Sequence, residues 1–160
     1  GGMGTTIAAG VSGTWNADAI KGKLGNNYAA TKLPTFTLGS NQVQMGSFAG
    51  YKLIGINSQT KAPVHAMKLA EWLTNEQNQI IRFEKRAMGP SNIKAAASEK
   101  VKANVALAAL ALQNQYATSQ KDVLGSYWSP AEAFGTAMEA KDYSKSIKQQ
   151  LDTMVSQIQA

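Results

Sequence analysis

The sequence predicts an α/β protein, and the order of its elements and its composition carry that prediction. Strand-like and helical segments are mixed in the first part of the chain, and only helical segments follow from Val101, an order that fits the α/β class. Hydrophobic residues make up 44% and charged residues 16% of the 160 residues, which is typical of a globular domain rather than a disordered chain.

The chain begins with a predicted strand and a short helix. Thr5–Gly13 is rich in small, β-tolerant residues and punctuated by glycine, so it reads as a strand running into a loop. Asn16 is an N-cap residue type ahead of a helix predicted over Ala17–Leu24, and Gly25 is its C-terminal stop.

Three further strands are predicted before the chain turns helical. Leu33–Leu38 is expected to be an edge strand, because Pro34 cannot donate to a central ladder, and a turn follows at Gly39. Val43–Asn57 contains two short candidates, of which Tyr51–Asn57 is apolar enough to lie inside a sheet.

The clearest helix begins at Pro63, a favoured first-turn residue, and places Trp72 on an apolar face where core packing is the expected role. A second helix is predicted to begin at a capping box formed by Thr74 and Gln77. The apolar face of the first helix consists of Val64, Met67, Leu69, Trp72 and Leu73.

The later helices have start signals of the same kind. Ser129, Pro130 and Glu132 together predict a helix that begins with a serine N-cap and a capping box, directly after Trp128. A closing amphipathic helix is indicated by apolar residues at helical spacing. Those residues are Ile147, Leu151, Met154, Val155 and Ile158.

Residue types exclude several chemistries. The chain has no cysteine and a single histidine, so a thiol nucleophile, a zinc site and a Ser-His-Asp triad are not predicted, nor is any metal or cofactor. His65 lies in the first turn of the Pro63 helix and is expected to be an exposed surface residue.

The net charge of +6 raises nucleic acid as a partner, but the pattern argues against it. Nearly all cations are scattered lysines, Arg82 and Arg86 being the only arginines, and no helix carries a basic stripe interleaved with aromatic residues. The longest apolar run, Val105–Leu112, is too short to span a bilayer. A solvated, lysine-rich exterior is the better interpretation.

Three stretches resemble one protein family in their order and spacing. The first is Gly4–Ile7 leading to Gly13-Thr14-Trp15, and the last is Tyr127-Trp128 at a helix start. Between them, Gly50–Asn57 precedes a helix pair that continues to Gly89-Pro90-Ser91-Asn92. Together they resemble family 1 of the bacterial extracellular solute-binding proteins, which includes the maltose/maltodextrin-binding proteins.

The resemblance implies the periplasmic-binding-protein type II fold. The chain would be its C-terminal portion, with short strands and several helices that contribute to both lobes. Residues 1–39 and 101–160 would form parts of one lobe and residues 40–100 part of the other. Because family members are about twice as long or longer, the resemblance also implies that the first half of the receptor is absent.

The resemblance further implies the substrate-binding component of an ABC importer, which captures a sugar of the maltodextrin type in a cleft between the lobes. Sugars have flat C–H faces, which aromatic rings can cover, and hydroxyl rims, which polar groups satisfy. Trp15 and Trp128 are the expected platforms, and Tyr127 is a third stacking or hydrogen-bonding candidate. The weaker polar candidates are Ser47, Ser91 and Asn92.

Partners and location are also implied by the resemblance. Besides an oligosaccharide, the expected partners are a membrane permease and either the missing N-terminal half of the receptor or a swapped copy of this chain. The expected location is extracellular, either lipid-anchored at the cell surface, as in the lipoprotein receptors of Gram-positive bacteria, or periplasmic.

Two other classes of function stay open from the sequence alone. A carbohydrate-active enzyme would need two carboxylates across a cleft, and no acidic pair is placed for such acid–base work, so an enzyme is not predicted. A scaffold or adhesion domain would fit the alanine-rich helices, but it would leave Trp15 and Trp128 unexplained.

Overall fold

A computed structural model of the chain describes residues 5–160. Gly4, which begins the first stretch of family resemblance, lies outside the described residues. The chain divides into two compact units, residues 1–118 and residues 119–160. The lobe boundaries implied by the family resemblance fall elsewhere and stay a prediction.

The described part of the first unit, residues 5–118, contains six α-helices, several of which begin or end at the residues that the sequence predicts. Gly25 closes α1 with a positive φ of 54°, and Pro63 occupies the first turn of α2. Asn92 and Asn104 cap α4 and α6 with their side-chain oxygens. The helices are α1 (Ala17–Leu24), α2 (Pro63–Thr74), α3 (Glu76–Arg86), α4 (Ile93–Ala96), α5 (Glu99–Lys102) and α6 (Val105–Gln113).

The strands form two small sheets. β1 (Thr35–Leu38) pairs antiparallel with β2 (Asn41–Gln44), and the hairpin turns at Gly39, whose φ of 62° suits glycine. β3 (Ser47–Ala49) pairs with β4 (Ala117–Ser119), which begins in the first unit. The predicted strand at Leu33–Leu38 is thus confirmed over its last four residues.

The core of the first unit is concentrated in one stretch of the chain, from α4 to α6. Leu107 lies against the loop at Gly89, where an added Cβ would come within 3.0 Å of Leu107 Cδ2. Small side chains allow the short helices to approach closely. The buried hydrophobic residues are Ala95, Val101, Ala106, Leu107 and Ala109.

The second unit is a pair of helices, α7 (Trp128–Glu139) and α8 (Ile147–Gln159), which pack against each other. Ser146 and Gln149 form a capping box at the start of α8: the Ser146 Oγ accepts from the Gln149 backbone N–H, and the Gln149 side chain accepts from the Ser146 backbone N–H. This closing helix confirms the amphipathic pattern seen in the sequence.

Two predicted strands are wrong in this structure. Thr5–Gly13 forms turns and irregular backbone with a single bridge at Ile7, and Tyr51–Asn57 is irregular along its whole length. A strand requires a neighbour to complete its ladder. Ile7 forms one isolated bridge and Tyr51–Asn57 is assigned no strand or bridge, so in neither described segment does β propensity alone produce a ladder.

One predicted core residue and two predicted helix caps are also wrong. Trp72 is not a core residue of this chain, because 58% of its surface is exposed. The N-cap of α3 is Asn75, whose Oδ1 accepts from the Asn78 backbone N–H, so Thr74 ends α2 rather than opening a capping box. Helix α7 begins at Trp128 without a side-chain cap, so the predicted Ser129 cap is wrong.

Within residues 5–160, the structure contains no helix long and apolar enough to cross a membrane.

Candidate functional site

Trp15 lies in a 3-10 turn, Thr14–Asn16, that leads directly into α1. The Asn16 backbone N–H donates to the Gly13 carbonyl at 3.1 Å, and the Asn16 side-chain amide donates to Ser12 Oγ at 3.0 Å. Asn16 therefore anchors the turn rather than capping α1 with its side chain, which corrects the predicted role.

The indole of Trp15 folds back over Gly13. A Cβ at position 13 would overlap the six-membered part of the ring, so the absence of a side chain at Gly13 makes room for it. The Trp15 side chain nevertheless leaves the residue 84% exposed. One side of the ring thus lies against backbone, while most of the residue is open to solvent.

Tyr127 and Trp128 form an aromatic pair where a 3-10 turn runs into α7. Their ring centroids are 5.2 Å apart with an interplanar angle of 86°, an edge-to-face arrangement that aromatic rings favour. Trp128 is 48% exposed as the first residue of the helix, and Tyr127 is partly buried. The contact fixes the two rings relative to each other.

An open concave surface runs along α7 beyond Trp128, with a volume of about 590 Å³. It combines hydroxyl groups with two carboxylates, Glu132 and Asp142. A hydrogen bond from Ser144 holds the pKa of Asp142 below its ordinary value. The lining residues are Ser129, Glu132, Ala133, Thr136, Ala137, Ala140 and Asp142.

Sequence reasoning placed Glu132 in a helix cap and gave Asp142 no role. The sequence does contain a pattern that indicates this polar surface. Ser129, Glu132 and Thr136 are spaced three and four residues apart and therefore share one face of α7.

Ser47 is the first residue of β3 and is partly buried. Its Oγ accepts a hydrogen bond from Nε2 of Gln113, the last residue of α6, at 3.2 Å. The hydroxyl is thus already in use within the first unit, although it still has a proton to donate.

Ser91 and Asn92 are brought together by Gln79 of α3. The Gln79 Oε1 accepts from the backbone N–H groups of Ser91 and Asn92 at 2.8 and 2.9 Å. The Asn92 Oδ1 accepts from two backbone N–H groups of α4, both at 3.0 Å. Much of the polar capacity predicted for a ligand here is engaged in holding the loop to the helices.

The structure joins some candidates directly and leaves others separate. Tyr127 contacts Trp128, and Ser91 and Asn92 share Gln79, whereas the Trp15 ring lies over Gly13 and Ser47 bonds to Gln113. His65 is exposed on α2, as predicted. Among residues 5–160, no group of three or more His, Cys, Asp or Glu side chains is placed to hold a metal ion.

A second concavity lies in the first unit, between the irregular segment Tyr51–Asn57 and α2. Its volume is about 170 Å³ and its lining is mainly apolar. The side chains involved include Ile54, Ile56, Leu69 and Leu73, together with Asn57 and Thr60. Such a lining suits packing against another apolar surface better than holding a hydroxyl-rich ligand.

A family model described as bacterial extracellular solute-binding protein matches residues 4–109. The chain therefore belongs to the bacterial extracellular solute-binding protein family, a family of binding proteins. Among curated proteins, none matches the chain significantly.

Two solved structures are similar over nearly the whole chain. One is the maltodextrin-binding protein MalE1 from L. casei BL23 without ligand, at 25% identity and a TM-score of 0.72 over 91% of this chain. The other was determined with acarbose, at 30% identity and a TM-score of 0.78 over 92% of this chain. These likenesses confirm the periplasmic-binding-protein fold. The chain spans about 41% and 40% of the lengths of those two proteins.

Proposed function

We propose that this chain supplies part of the sugar site of a receptor that delivers an oligosaccharide, of the maltodextrin type, to an ABC importer. One similar solved structure is of a maltodextrin-binding protein, and the other was determined with acarbose. The observation that carries the proposal is the exposed indole of Trp15, which is backed by Gly13 in the turn before α1.

The Trp15 geometry suits stacking on a pyranose ring. Exposure of a large apolar ring to water is unfavourable. Stacking of a flat C–H face of a sugar on the ring removes apolar surface from water and so favours binding. Gly13 leaves room for the ring to lie against the backbone, and a ring that already lies there loses less side-chain entropy when the sugar arrives. The predicted role of Trp15 as a platform rests on this combination of exposure and preorganisation.

Tyr127 and Trp128 are proposed as a second platform. Their edge-to-face contact limits the motion of both rings, and Trp128 keeps about half of its surface exposed. The hydroxyl and carboxylate groups along α7, chiefly Ser129 and Glu132, would then satisfy the sugar hydroxyls beside the stacked ring. Ser47, Ser91 and Asn92 are retained as weaker polar contacts.

The wider assignment follows the same proposal. Residues 1–39 and 101–160 would contribute to one lobe, and residues 40–100 to the other. The remainder of the receptor would cover the apolar segment around Leu53 and complete the cleft, and a membrane permease would receive the loaded receptor. The location would be extracellular, with a lipid anchor or in the periplasm.

The test uses a receptor-length protein, meaning this chain together with the remainder of the binding protein. Titration with malto-, xylo- and galacto-oligosaccharides is expected to change tryptophan fluorescence with the first series. Trp15→Ala and Trp128→Ala should each weaken binding by about 1–3 kcal/mol, because each removes a stacking surface.

Trp72→Ala is the matched control. Trp72 is also more than half exposed, but it lies on α2 and is not a proposed platform, so its replacement should leave affinity unchanged. Absence of binding across the three sugar series would refute the sugar assignment, and release of reducing ends would favour an enzyme instead.

Gly13→Ala tests whether the position of the Trp15 ring over Gly13 matters for sugar binding. The added methyl group would displace the Trp15 indole, so affinity should fall while the protein stays folded. Gly22→Ala in α1 is the control, because a Cβ there meets no atom within 4 Å and alanine favours the helix. Equal sugar affinity in the two variants would remove Gly13 from the site.

A further inference from the structure

Gln113 differs from every other polar residue that the structure describes, because its side chain is the buried one, with 6% exposure. A buried amide is costly unless its hydrogen bonds are made. Gln113 makes them to chain segments 66 to 80 residues away in sequence, not to its own helix.

Three hydrogen bonds fix the orientation of the amide. The Oε1 accepts from the Leu33 backbone N–H at 3.0 Å, while the Nε2 donates to the Met45 carbonyl at 3.1 Å and to Ser47 Oγ at 3.2 Å. A flipped amide would set N–H against N–H at Leu33 and oxygen against oxygen at Met45, so only one orientation satisfies both backbone groups.

The partners of Gln113 belong to segments that meet at one place. Leu33 lies just before β1, and Met45 and Ser47 lie on either side of the step from β2 to β3. Gln113 itself ends α6 shortly before β4, the strand that pairs with β3. The segment before β1 and the segment that joins β2 to β3 are thus both hydrogen-bonded to the Gln113 side chain.

Under the proposed lobes, this convergence has a functional meaning. Leu33 and Gln113 fall in one lobe, and Met45 and Ser47 fall in the other. The chain therefore crosses between the lobes within residues 33–47, and the Gln113 side chain forms hydrogen bonds to it on both sides of that crossing. A link of this kind limits the relative arrangements that the crossing segments can adopt. Fewer arrangements mean a larger fraction of receptor in any one of them.

We propose that Gln113 is a positioning residue that holds the crossing segments in the arrangement competent to bind sugar. The inference rests on the proposed function and deepens it. Replacing Gln113 lowers the fraction of receptor molecules that are in the binding-competent arrangement, and the apparent affinity for sugar falls by that same factor. The direct contacts between sugar and aromatic rings stay unchanged.

The variants separate the three hydrogen bonds. Gln113→Glu keeps the shape but replaces the donor with a second acceptor facing the Met45 carbonyl, and Gln113→Leu removes all three bonds. Ser47→Ala removes only one of the three bonds, together with a hydroxyl that is proposed as a weaker sugar contact. Gln115→Glu is the matched control, because Gln115 is exposed and its Nε2 bonds locally to the Leu112 carbonyl.

The experiment measures maltooligosaccharide affinity by calorimetry in the receptor-length protein, at a temperature where circular dichroism shows every variant fully folded. We expect about tenfold weaker binding for both Gln113 variants, a smaller loss for Ser47→Ala, and wild-type affinity for Gln115→Glu. A lowered melting temperature with unchanged affinity in the folded Gln113 variants would reduce Gln113 to a structural role and overturn the proposal.

Hydrogen exchange gives a readout that does not depend on sugar. The amide of Leu33 should exchange faster in Gln113→Leu than in wild type, together with the amides of residues 45–49, whereas Gln115→Glu should match wild type. If wild type binds no sugar, the proposed function fails, yet faster exchange in Gln113→Leu would still show that Gln113 holds these segments in place. Unchanged exchange at Leu33 and residues 45–49 would overturn it, whatever the sugar result.

Discussion

Two regions of the first unit have similar hydrophobic character but opposite burial. The stretch from Asn92 to Gln113 contains every buried residue among the described residues. The stretch from Tyr51 to Leu73 has none, and Leu53 alone is 86% exposed. Both are rich in aliphatic residues, so composition does not explain the difference.

The difference shows that burial depends on which neighbours the chain provides. Short helices packed through alanine cover one another between residues 92 and 113. Ile54 lines the 170 Å³ concavity beside α2, yet it remains 49% exposed, and Leu53 remains 86% exposed. Completely burying a leucine or isoleucine is worth about 1.5–3 kcal/mol, so this face has a large unused capacity to bind apolar surface.

The largest expected effect is at the centre of the packed stretch. Leu107→Ala should lower the free energy of unfolding by about 2–5 kcal/mol, because Leu107 is buried and packs against the Gly89 loop. Chemical denaturation monitored by circular dichroism provides the measurement. Leu112→Ala, in the same helix but 53% exposed, is the control and should cost far less. Similar costs for the two would erase the distinction between the regions.

The second prediction concerns the exposed stretch. Leu53→Ala should change the stability of the 160-residue chain by no more than about 0.5 kcal/mol, since the side chain is already in water. In the receptor-length protein, the same substitution should cost about 2–4 kcal/mol if the remainder of the receptor covers it. Equal, small losses in both proteins would show that Leu53 stays uncovered.

A smaller effect is expected at the start of α6. Asn104→Ala removes the side-chain oxygen that accepts from the Leu107 backbone N–H at 3.0 Å, and losing such a cap costs about 1 kcal/mol. Thermal unfolding is the measurement, with Asn104→Asp as the variant that keeps an acceptor. A loss in the aspartate variant as large as in the alanine variant would argue against capping as the cause.

The smallest effect is the pH dependence of one surface ion pair. Lys100 Nζ lies 2.6 Å from Glu84 Oε1, and this hydrogen bond, with the attraction between the charges, lowers the pKa of Glu84 and raises that of Lys100. Because the Glu84 pKa is lower in the folded chain, its stabilisation is present above the ordinary value of 4.5 and is lost as pH falls through the folded value.

Glu84→Gln isolates this contribution. The melting temperature of the variant should fall less steeply than that of wild type between neutral pH and the acidic range. At the alkaline end, the raised Lys100 pKa keeps the pair intact until the pH passes above 10.5. Parallel melting curves for wild type and variant across the acidic range would contradict the contribution of the pair.

Helices were predictable because their signals are local. Gly25 and Pro63 mark ends of α1 and α2 within a few residues of sequence, and Ser146 does the same for α8. Strands were less predictable, since Tyr51–Asn57 has the residue types of a strand but is assigned no strand or bridge. Propensity cannot supply the neighbour that a ladder needs.

The candidate site was predictable only in part, for the same reason. Trp15 and Trp128 could be selected from the family resemblance and from their place just before predicted helices, although neither Asn16 nor Ser129 caps its helix as expected. Gln113 could not, since its importance arises from backbone groups at Leu33 and Met45, far away in sequence.

The irregular segment Tyr51–Asn57 also has a consequence for handling the protein. An exposed, β-prone and apolar segment that is not part of a sheet can serve as a template for strand addition by other molecules, the route to aggregation. Lys52 is the single charge in the segment, and Gly55 interrupts its β-branched residues. The 160-residue chain should therefore become less soluble on Lys52→Val, and more soluble when a second charge replaces Ile54.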